Sequence, residues 1–353
     1  MSYDVAVLSG DHIGTEVMAE AVKVLDAVAA SEGFSLNYTE GLIGGAAIDA
    51  TGGPLPEETQ QLCASSGAVF LGSVGGPEWD HLPPDQRPEV GGLLAVRKAL
   101  GLYANLRPVK LYPELVSGCP LNFKGAEPKV NILTVRELTG GVYFGEPKQL
   151  SDEEGLDTMV YRKWEVERIL KAAFEAARHR DHRVCSVDKA NVLRSSMLWR
   201  KTATAYAEAH PDVELRHMYV DNAAMQIILN PGQFDVLVTG NLFGDILSDE
   251  SASLAGSLGM LPSASLGTAV NLYEPSGGSA PDIAGQGVAN PLAQILSGAM
   301  MLEYSFDEIR AADRIRRAVA RAVTDGFRTA DIAGPQDSPV GTTTMGDAVA
   351  ERL

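Results

Sequence analysis

Asp245 and Asp249 stand four residues apart in "NLFGDILSDE", with Leu242, Phe243, Ile246 and Leu247 around them. On a helix this spacing puts both carboxylates on one face. Like charges so placed repel by roughly 0.2–0.5 kcal/mol even when exposed, and a buried pair costs more or keeps a proton. A divalent cation removes the conflict. Hard carboxylate oxygens suit Mg2+ or Mn2+, which leaves coordination positions for substrate oxygens and water. Two solvated acids on an outer helix face are the alternative reading.

Basic counterparts lie elsewhere. Arg97 sits in "GGLLAVRKALGLY", Arg107 in "ANLRPV" and Arg136 in "LTVRELTGG". Guanidinium forks grip carboxylates in a bidentate manner. Arg107 precedes Pro108, which sets it in extended backbone. Each fits a surface arginine equally well, and only a fold can gather them. Three further segments end in polar residues: "RVCSVDK" at Lys189, "VELRHMYVD" at Asp221, and "FDVLVTG" shortly before Asp245. In open parallel sheets ligands bind at the carboxyl edge of the strands. Asp221 before Asn222 also fits a helix cap.

The elements that must position these residues alternate. "VAVLS" and "AVFLGS" read as strands, and "GTEVMAEAVKVLDAVAA" puts Val17, Ala21, Val24, Leu25 and Val28 on one helical face. "VNILTVRE" and "GVYFGEP" read as two strands joined by a hairpin turn at Thr139-Gly140-Gly141. Helix "YRKWEVERILKAAFEAARHR" leads to strand "RVCSVDK", a helix from about 195 to 210 leads to "VELRHMYVD", and "NAAMQIILN" leads to "FDVLVTG". Such repetition means a parallel sheet. Two helices close the chain, at about 291–304 and 307–324.

At 353 residues, 45% of them hydrophobic, the chain is long enough for two domains or one large α/β domain. A net charge of −17 without a Lys/Arg block excludes a nucleic-acid binder. An anionic substrate would need a local basic pocket. Cys63, Cys119 and Cys185 are too sparse for a disulfide framework or a CxxC metal site. No apolar run has membrane length, and the opening "YDVAVLSGD" is a strand and turn rather than a leader, so a soluble, cytoplasmic protein with no membrane partner is expected. "SGDHIG" fails the GxGxxG dinucleotide fingerprint. "GGSAPDIAGQG" would let backbone approach a phosphorylated ligand, with Asp282 placed to accept from ribose hydroxyls.

Taken together, the chain resembles the isocitrate/isopropylmalate dehydrogenase family of β-hydroxyacid oxidative decarboxylases. The resemblance runs through "GGAAIDATGGPLPEET", "GSVGGPEWD", "LGLYANLRPVKLY", "LTVRELTGGVYFGEP", "DKANVL", "NLFGDILSDE", "GMLPSASLG", "GGSAPDIAGQGVANP" and "RTADI", in that order. It implies an α/β, two-domain fold with a large mixed, mostly parallel sheet that is not a Rossmann domain. The domains would be 1–103 with 256–353, binding NAD+, and 104–255, carrying the metal ligands and a dimer interface. It implies one Mg2+ or Mn2+ per subunit on Asp221, Asp245 and Asp249, with K+ as a further candidate ion. Arg97, Arg107 and Arg136 would clamp the substrate carboxylates, together with Asp221, Glu89, Leu93 and Leu94 around the substrate. Tyr143 and Lys189 would be the acid/base pair. Lys189 and Asp221 would cross a homodimer interface. Ile13, Gly76, Glu89, Glu274, Gly278, Ser279, Ala280, Pro281, Asp282 and Asn290 would surround NAD+.

The implied chemistry is oxidation of a small-molecule hydroxy acid followed by loss of CO2. Cation binding lowers the pKa of the substrate hydroxyl, and Lys189 takes its proton. Tyr143 protonates the enol carbon. Substrate choice rests on "PEVGGLLAVR". Isocitrate relatives offer polar groups there to a third carboxylate, whereas Leu93 and Leu94 suit the isopropyl group of 3-isopropylmalate, a leucine-biosynthesis intermediate. Sibling substrates (isocitrate, homoisocitrate, tartrate, malate) and a non-catalytic regulatory subunit are the other readings. A phosphoryl-transfer enzyme is disfavoured because GxxxxGK[ST] is missing. The chain departs from the family's usual "PGDGIGPEV" in "SGDHIGTEV": Ser9 and Thr15 replace prolines, His12 replaces glycine, and Glu78 stands where lysine is frequent. If the glycine position has φ > 0, His12 adds strain. Replacing Leu93→Ser with Leu94→Asn should weaken 3-isopropylmalate turnover in steady-state assays; unchanged kinetics would show the pocket to be elsewhere.

Overall fold

Short apolar runs become strands because their side chains are buried. Val5, Ala6, Val7 and Leu8, like Ala68–Leu71, are at most 5% exposed. Complete burial of a Leu or Phe side chain contributes roughly 1.5–3 kcal/mol, so these runs anchor the core. In a computed structural model, which describes residues 1–121 and 129–353, the strands are β1 (Ser2–Gly10), β2 (Ser35–Glu40), β3 (Ala68–Ser73), β4 (Ala104–Lys110), β5 (Asn131–Glu137), β6 (Gln149–Leu150), β7 (Gly155–Leu156), β8 (Arg183–Asp188), β9 (Glu214–Tyr219), β10 (Val236–Thr239), β11 (Pro262–Leu266) and β12 (Leu272–Pro275). The helices are α1 (Ile13–Glu32), α2 (Gly44–Thr51), α3 (Glu57–Ser65), α4 (Ala95–Ala99), α5 (Lys163–Arg178), α6 (Arg194–Glu208), α7 (Val220–Leu229), α8 (Asn241–Ala252), α9 (Leu292–Phe306), α10 (Ile309–Thr324) and α11 (Thr342–Ala350).

The chain divides into two compact units, each with five strands of mixed, mostly parallel sheet. The first holds Met1–Leu102, Tyr112–Gly118 and Gly256–Leu353. Its strand order is β2-β1-β3-β12-β11, parallel except for the β11–β12 pair. The predicted face of α1 is buried: Val17, Ala21, Val24, Leu25 and Val28 are at most 3% exposed. Gly33 ends this helix at φ 83°, a conformation that favours glycine. Pro88–Leu94 is one stretch of π-helix leading into α4, a local widening often found at functional sites.

The second unit holds Tyr103–Leu111 and Cys119–Ala255. Its order is β4-β5-β10-β8-β9, with only β4 antiparallel to its neighbour. Strands β10, β8 and β9 are therefore adjacent and parallel. Their carboxyl ends lead to α8, to Lys189 and to α7 respectively. Asp221 lies in the first turn of α7, with Tyr219 at the cap position.

The hairpin expected after "VNILTVRE" does not form. Both edges of β5 are already taken, by β4 and β10, so "GVYFGEP" has no edge to join. The Glu137 carboxylate ends the strand by accepting from the backbone N–H groups of Thr139 at 3.0 Å and Gly140 at 2.7 Å. Tyr143 consequently sits in a turn, closed by the Gly145 N–H donating to the Gly141 carbonyl at 3.0 Å.

In the first unit the turn between β1 and α1 is held by the buried Asp11. Its carboxylate accepts from the backbone N–H groups of Gly45 (2.9 Å), Ala46 (2.8 Å) and Gly75 (2.7 Å). Hydrogen bonds to a charged acceptor are among the strong ones, and losing them leaves buried donors unpaired. Asp11→Ala should therefore destabilise the protein by at least about 2 kcal/mol, seen as a lower Tm in calorimetry; an unchanged Tm would show that water replaces the carboxylate.

Candidate active site

The two acids of α8 are held differently. Asp245 is one-third exposed and Asp249 70% exposed, so both reach solvent. Asp245 Oδ1 accepts from Arg136 Nη1, and its Oδ2 accepts from the Tyr143 hydroxyl at 2.9 Å. Arg107 Nη1 lies 3.0 Å from Asp249 Oδ1 and 3.8 Å from Asp245 Oδ1. The second unit thus gathers Arg107, Arg136, Tyr143, Asp245 and Asp249. The repulsion between the acids is offset by two guanidinium groups.

Local structure fixes each group. Arg107 and Arg136 come from neighbouring strands, with Asn105 opposite Arg136 in the ladder. Asn105 Oδ1 accepts from Arg107 Nε at 2.7 Å, and Ser248 Oγ accepts from Arg107 Nη1 at 2.9 Å. Arg136, 5% exposed, also donates from Nε to Asn241 Oδ1 at 3.0 Å. Gly244 is what lets Arg136 lie against α8: a Cβ there would sit 2.6 Å from Arg136 Cγ. Burial and the adjacent Asp245 carboxylate raise the Tyr143 pKa, with Arg136 acting the other way. The phenol therefore keeps its proton at neutral pH and is a donor there.

Lys189 and Asp221 form a second cluster in the same unit, with Nζ 2.7 Å from Oδ1. The hydrogen bond from Lys189 holds the Asp221 carboxyl below the usual carboxylate range. The start of the Lys189 loop is pinned by the buried Asp188, which accepts two hydrogen bonds from Arg200, at 2.8 and 2.9 Å, and one from the Ala190 N–H at 2.8 Å. Among the described residues no group of three or more His, Cys, Asp or Glu is placed to hold a metal ion. The pair on α8 supplies hard oxygens suited to Mg2+ or Mn2+, as an open set within one chain.

The first unit gathers a different set. The Ile13 N–H donates to the Ser279 carbonyl at 3.1 Å, and Ser279 Oγ donates to the Gly75 carbonyl at 2.7 Å. Glu89 covers Gly75: a Cβ on Gly75 would lie 2.1 Å from Glu89 Oε1. Ile13, Gly76, Glu89 and Ser279 therefore surround one turn. Gly278, Ala280, Pro281 and Asp282 continue the loop from Ser279, and Ala280 has φ 42°. Arg97 pairs with Glu274. On the π-helical stretch Leu93 is half-buried and Leu94 is 39% exposed, leaving an apolar surface just before Arg97.

A sequence model described as isocitrate/isopropylmalate dehydrogenase matches residues 4–349. The chain belongs to the isocitrate/isopropylmalate dehydrogenase family. It is 58% identical to the 3-isopropylmalate dehydrogenase of Thermotoga maritima over 349 residues, covering 99% of this chain and 98% of that protein. It is 56% identical to the 3-isopropylmalate dehydrogenase of Mannheimia succiniciproducens, covering 100% and 99%. The crystal structure of isocitrate dehydrogenase from Methylococcus capsulatus is similar at a TM-score of 0.85, with 38% identity and 99% of each chain covered. A β-decarboxylating dehydrogenase from Thermococcus kodakarensis has a TM-score of 0.82 at 35% identity, covering 99% and 96%.

Several residues of this family member escaped the sequence reading. Ser248 and Asn105 fix Arg107, and Asp188 with Arg200 fixes the Lys189 loop. Asp331 accepts from Asn290 Nδ2 at 3.0 Å and from Ser257 Oγ. Only Ser248 carried a local signal, lying three residues after Asp245 and so on its side of the helix. Asp331 falls in "RTADI", where nothing local pairs it with Asn290. Gly244→Ala should displace Arg136 from α8. The expected result is a KM for a dicarboxylate substrate raised about tenfold or more, as for a misplaced charged hydrogen bond, with NADH binding preserved; an unaltered KM would show that Arg136 does not meet substrate.

Proposed function

We propose that the chain catalyses NAD+-dependent oxidative decarboxylation of (2R,3S)-3-isopropylmalate to 4-methyl-2-oxopentanoate, a step of leucine biosynthesis, in the cytoplasm. The observation that carries this reading is the cluster on α8. It combines two hard carboxylates, two guanidinium groups and a protonated phenol within a few ångströms. Full-length relatives at 56–58% identity bear the name of that activity. The apolar Leu93 and Leu94 support an isopropyl group over a third carboxylate.

In this reading Arg97, Arg107 and Arg136 bind the two carboxylates of the malate core. Asp245 and Asp249, with Asp221 of a second copy, hold a Mg2+ or Mn2+ ion, and K+ is a further candidate. When bound, the cation polarises the substrate oxygens and NAD+ accepts the hydride. Lys189 of the second copy, oriented by Asp221, takes the hydroxyl proton. The β-keto acid then loses CO2 while the arginines stabilise the developing enolate. Tyr143 returns a proton to carbon. Ile13, Gly76, Glu89, Glu274, Gly278, Ser279, Ala280, Pro281, Asp282 and Asn290 surround NAD+, with Asp282 on ribose hydroxyls.

A homodimer is supported by an apolar stripe on α7. Met225 is 51%, Ile228 36% and Leu229 68% exposed, and Ile246 on α8 is 56% exposed. Residues spaced three and four apart form one face, and such a face is normally covered. Leu150, on the β6–β7 hairpin, is 91% exposed.

The reading is tested by following NADH formation from 3-isopropylmalate with Mn2+, beside isocitrate, homoisocitrate, tartrate and malate. Turnover of 3-isopropylmalate should exceed the others, stop with chelator and return with excess metal. Tyr143→Phe should lower kcat by about 10²-fold or more, as expected for loss of a general acid. No NADH from 3-isopropylmalate, or turnover indifferent to chelator, would overturn the reading.

A further inference from the structure

The start of α8 depends on a residue from outside the helix. Asn241 is its first residue, and Gly240 at the cap position has no side chain to offer the unbonded N–H groups there. The Tyr161 hydroxyl fills that role: its oxygen accepts from the Asn241 N–H at 2.7 Å. The Asn241 side chain reaches further. Its Oδ1 accepts from Arg136 Nε at 3.0 Å, and its Nδ2 donates to the carbonyls of Leu138 at 3.1 Å and Gly140 at 3.3 Å. One asparagine therefore ties α8 to an arginine of the site and to the chain leading into Tyr143.

The same hydroxyl faces the Tyr143 turn. A Cβ on Gly141 would lie 2.4 Å from the Tyr161 oxygen and one on Gly240 2.6 Å from it, while one on Gly140 would meet the ring at 2.8 Å. The phenol thus fills the space between turn and helix. The Val160 carbonyl joins the turn as well, accepting from the Gly141 N–H at 2.9 Å. Tyr161 is itself anchored. It directly precedes Arg162, whose N–H donates to Glu165 Oε2 at 2.6 Å at the start of α5. Its ring meets Trp199 edge-on, with centroids 5.4 Å apart. A phenylalanine would serve that ring contact equally well; only the hydroxyl reaches the helix and the turn. Burial, and then the Glu137 carboxylate, push the Tyr161 pKa up, so the hydroxyl stays neutral.

We propose that Tyr161 is a positioning residue, its hydroxyl setting the distance between α8 and the turn that carries Tyr143, and so the geometry of the Tyr143–Asp245 hydrogen bond. It acts through Tyr143, whose 2.9 Å bond to Asp245 spans the same two elements. Displacing a reacting group by about 1 Å costs on the order of 10²-fold in rate, so a spacer here bears on kcat. The proposal rests on the functional reading above, in which Tyr143 returns a proton to carbon after hydride transfer.

The test uses the full-length protein and NADH formation from 3-isopropylmalate with Mn2+, well below the Tm of each variant. Tyr161→Phe keeps the ring and removes the oxygen. It should lower steady-state kcat about tenfold, with KM for NAD+ within about twofold of wild type. The first turnover of NADH in stopped flow precedes the Tyr143 step and should also stay within about twofold. In a Tyr143→Phe background the same change should alter kcat by less than about twofold, because the group it places is gone. Gly240→Ala probes the spacing from the other side. Its backbone, at φ −68° and ψ 170°, suits any residue, but its Cβ would displace the hydroxyl. It should lower kcat comparably and lose that effect beside Tyr143→Phe. Wild type without turnover would sink the functional reading and this inference with it. With wild type active, Tyr161→Phe at wild-type kcat would sink this inference alone. So would a loss that persists beside Tyr143→Phe, or a first turnover slowed as much as kcat, either of which marks a merely structural hydroxyl.

Discussion

Two carboxylates one helical turn apart repel, and the arrangement of the second unit follows from how that repulsion is managed. Asp245 receives a guanidinium on one oxygen and a phenol on the other. Asp249 receives Arg107 and remains mostly open to solvent. Neither acid is buried beyond reach of a ligand, and neither lacks a positive neighbour. Arginine suits this role because it stays charged and bonds in a planar fork. In the proposed function the same guanidinium groups would also meet the substrate carboxylates.

The sheet makes the cluster possible. Strand β10 delivers α8, and the two arginines come from β4 and β5 in a register that pairs Asn105 with Arg136. Gly244 leaves room for the Arg136 stem against the helix. Lys189 and Asp221 arise at the ends of the next two parallel strands, where a chain that must return through a helix has to turn. A protein with net charge −17 thereby sets three cationic side chains against three carboxylates at one edge. Net charge governs solubility and long-range steering, whereas the local field at a site depends on which side chains the fold brings near.

Much of the fold was legible along the chain. The buried face of α1 and the strand–helix repetition of the second unit follow from periodicities of 3.6 and 2, which are set by backbone geometry. One element read wrongly was "GVYFGEP". Its aromatic and β-branched residues have strand character, but β5 had no free edge, and Glu137 diverted the backbone into a turn. Edge availability is a property of the whole sheet. Strain at His12, which has φ 51°, was foreseeable once the turn was placed, while the approach of its Nε2 to Glu78 Oε2 at 3.4 Å was not, since the two are far apart in sequence.

The sequence by itself determined most of the element types and the acidic pair with its hard oxygens, because these depend on neighbours three or four residues away and on the chemistry of single side chains. The motif order also carried the family resemblance without any coordinates. Only the tertiary structure decided that Arg107 meets Asp249, that Arg136 and Tyr143 share Asp245, that Arg97 lies on Glu274, and that Asp188 and Asp331 brace residues far from them in sequence. Such pairings are Coulombic and hydrogen-bonded contacts effective over a few ångströms. Sequence distance says nothing about them until the sheet has brought its strands side by side.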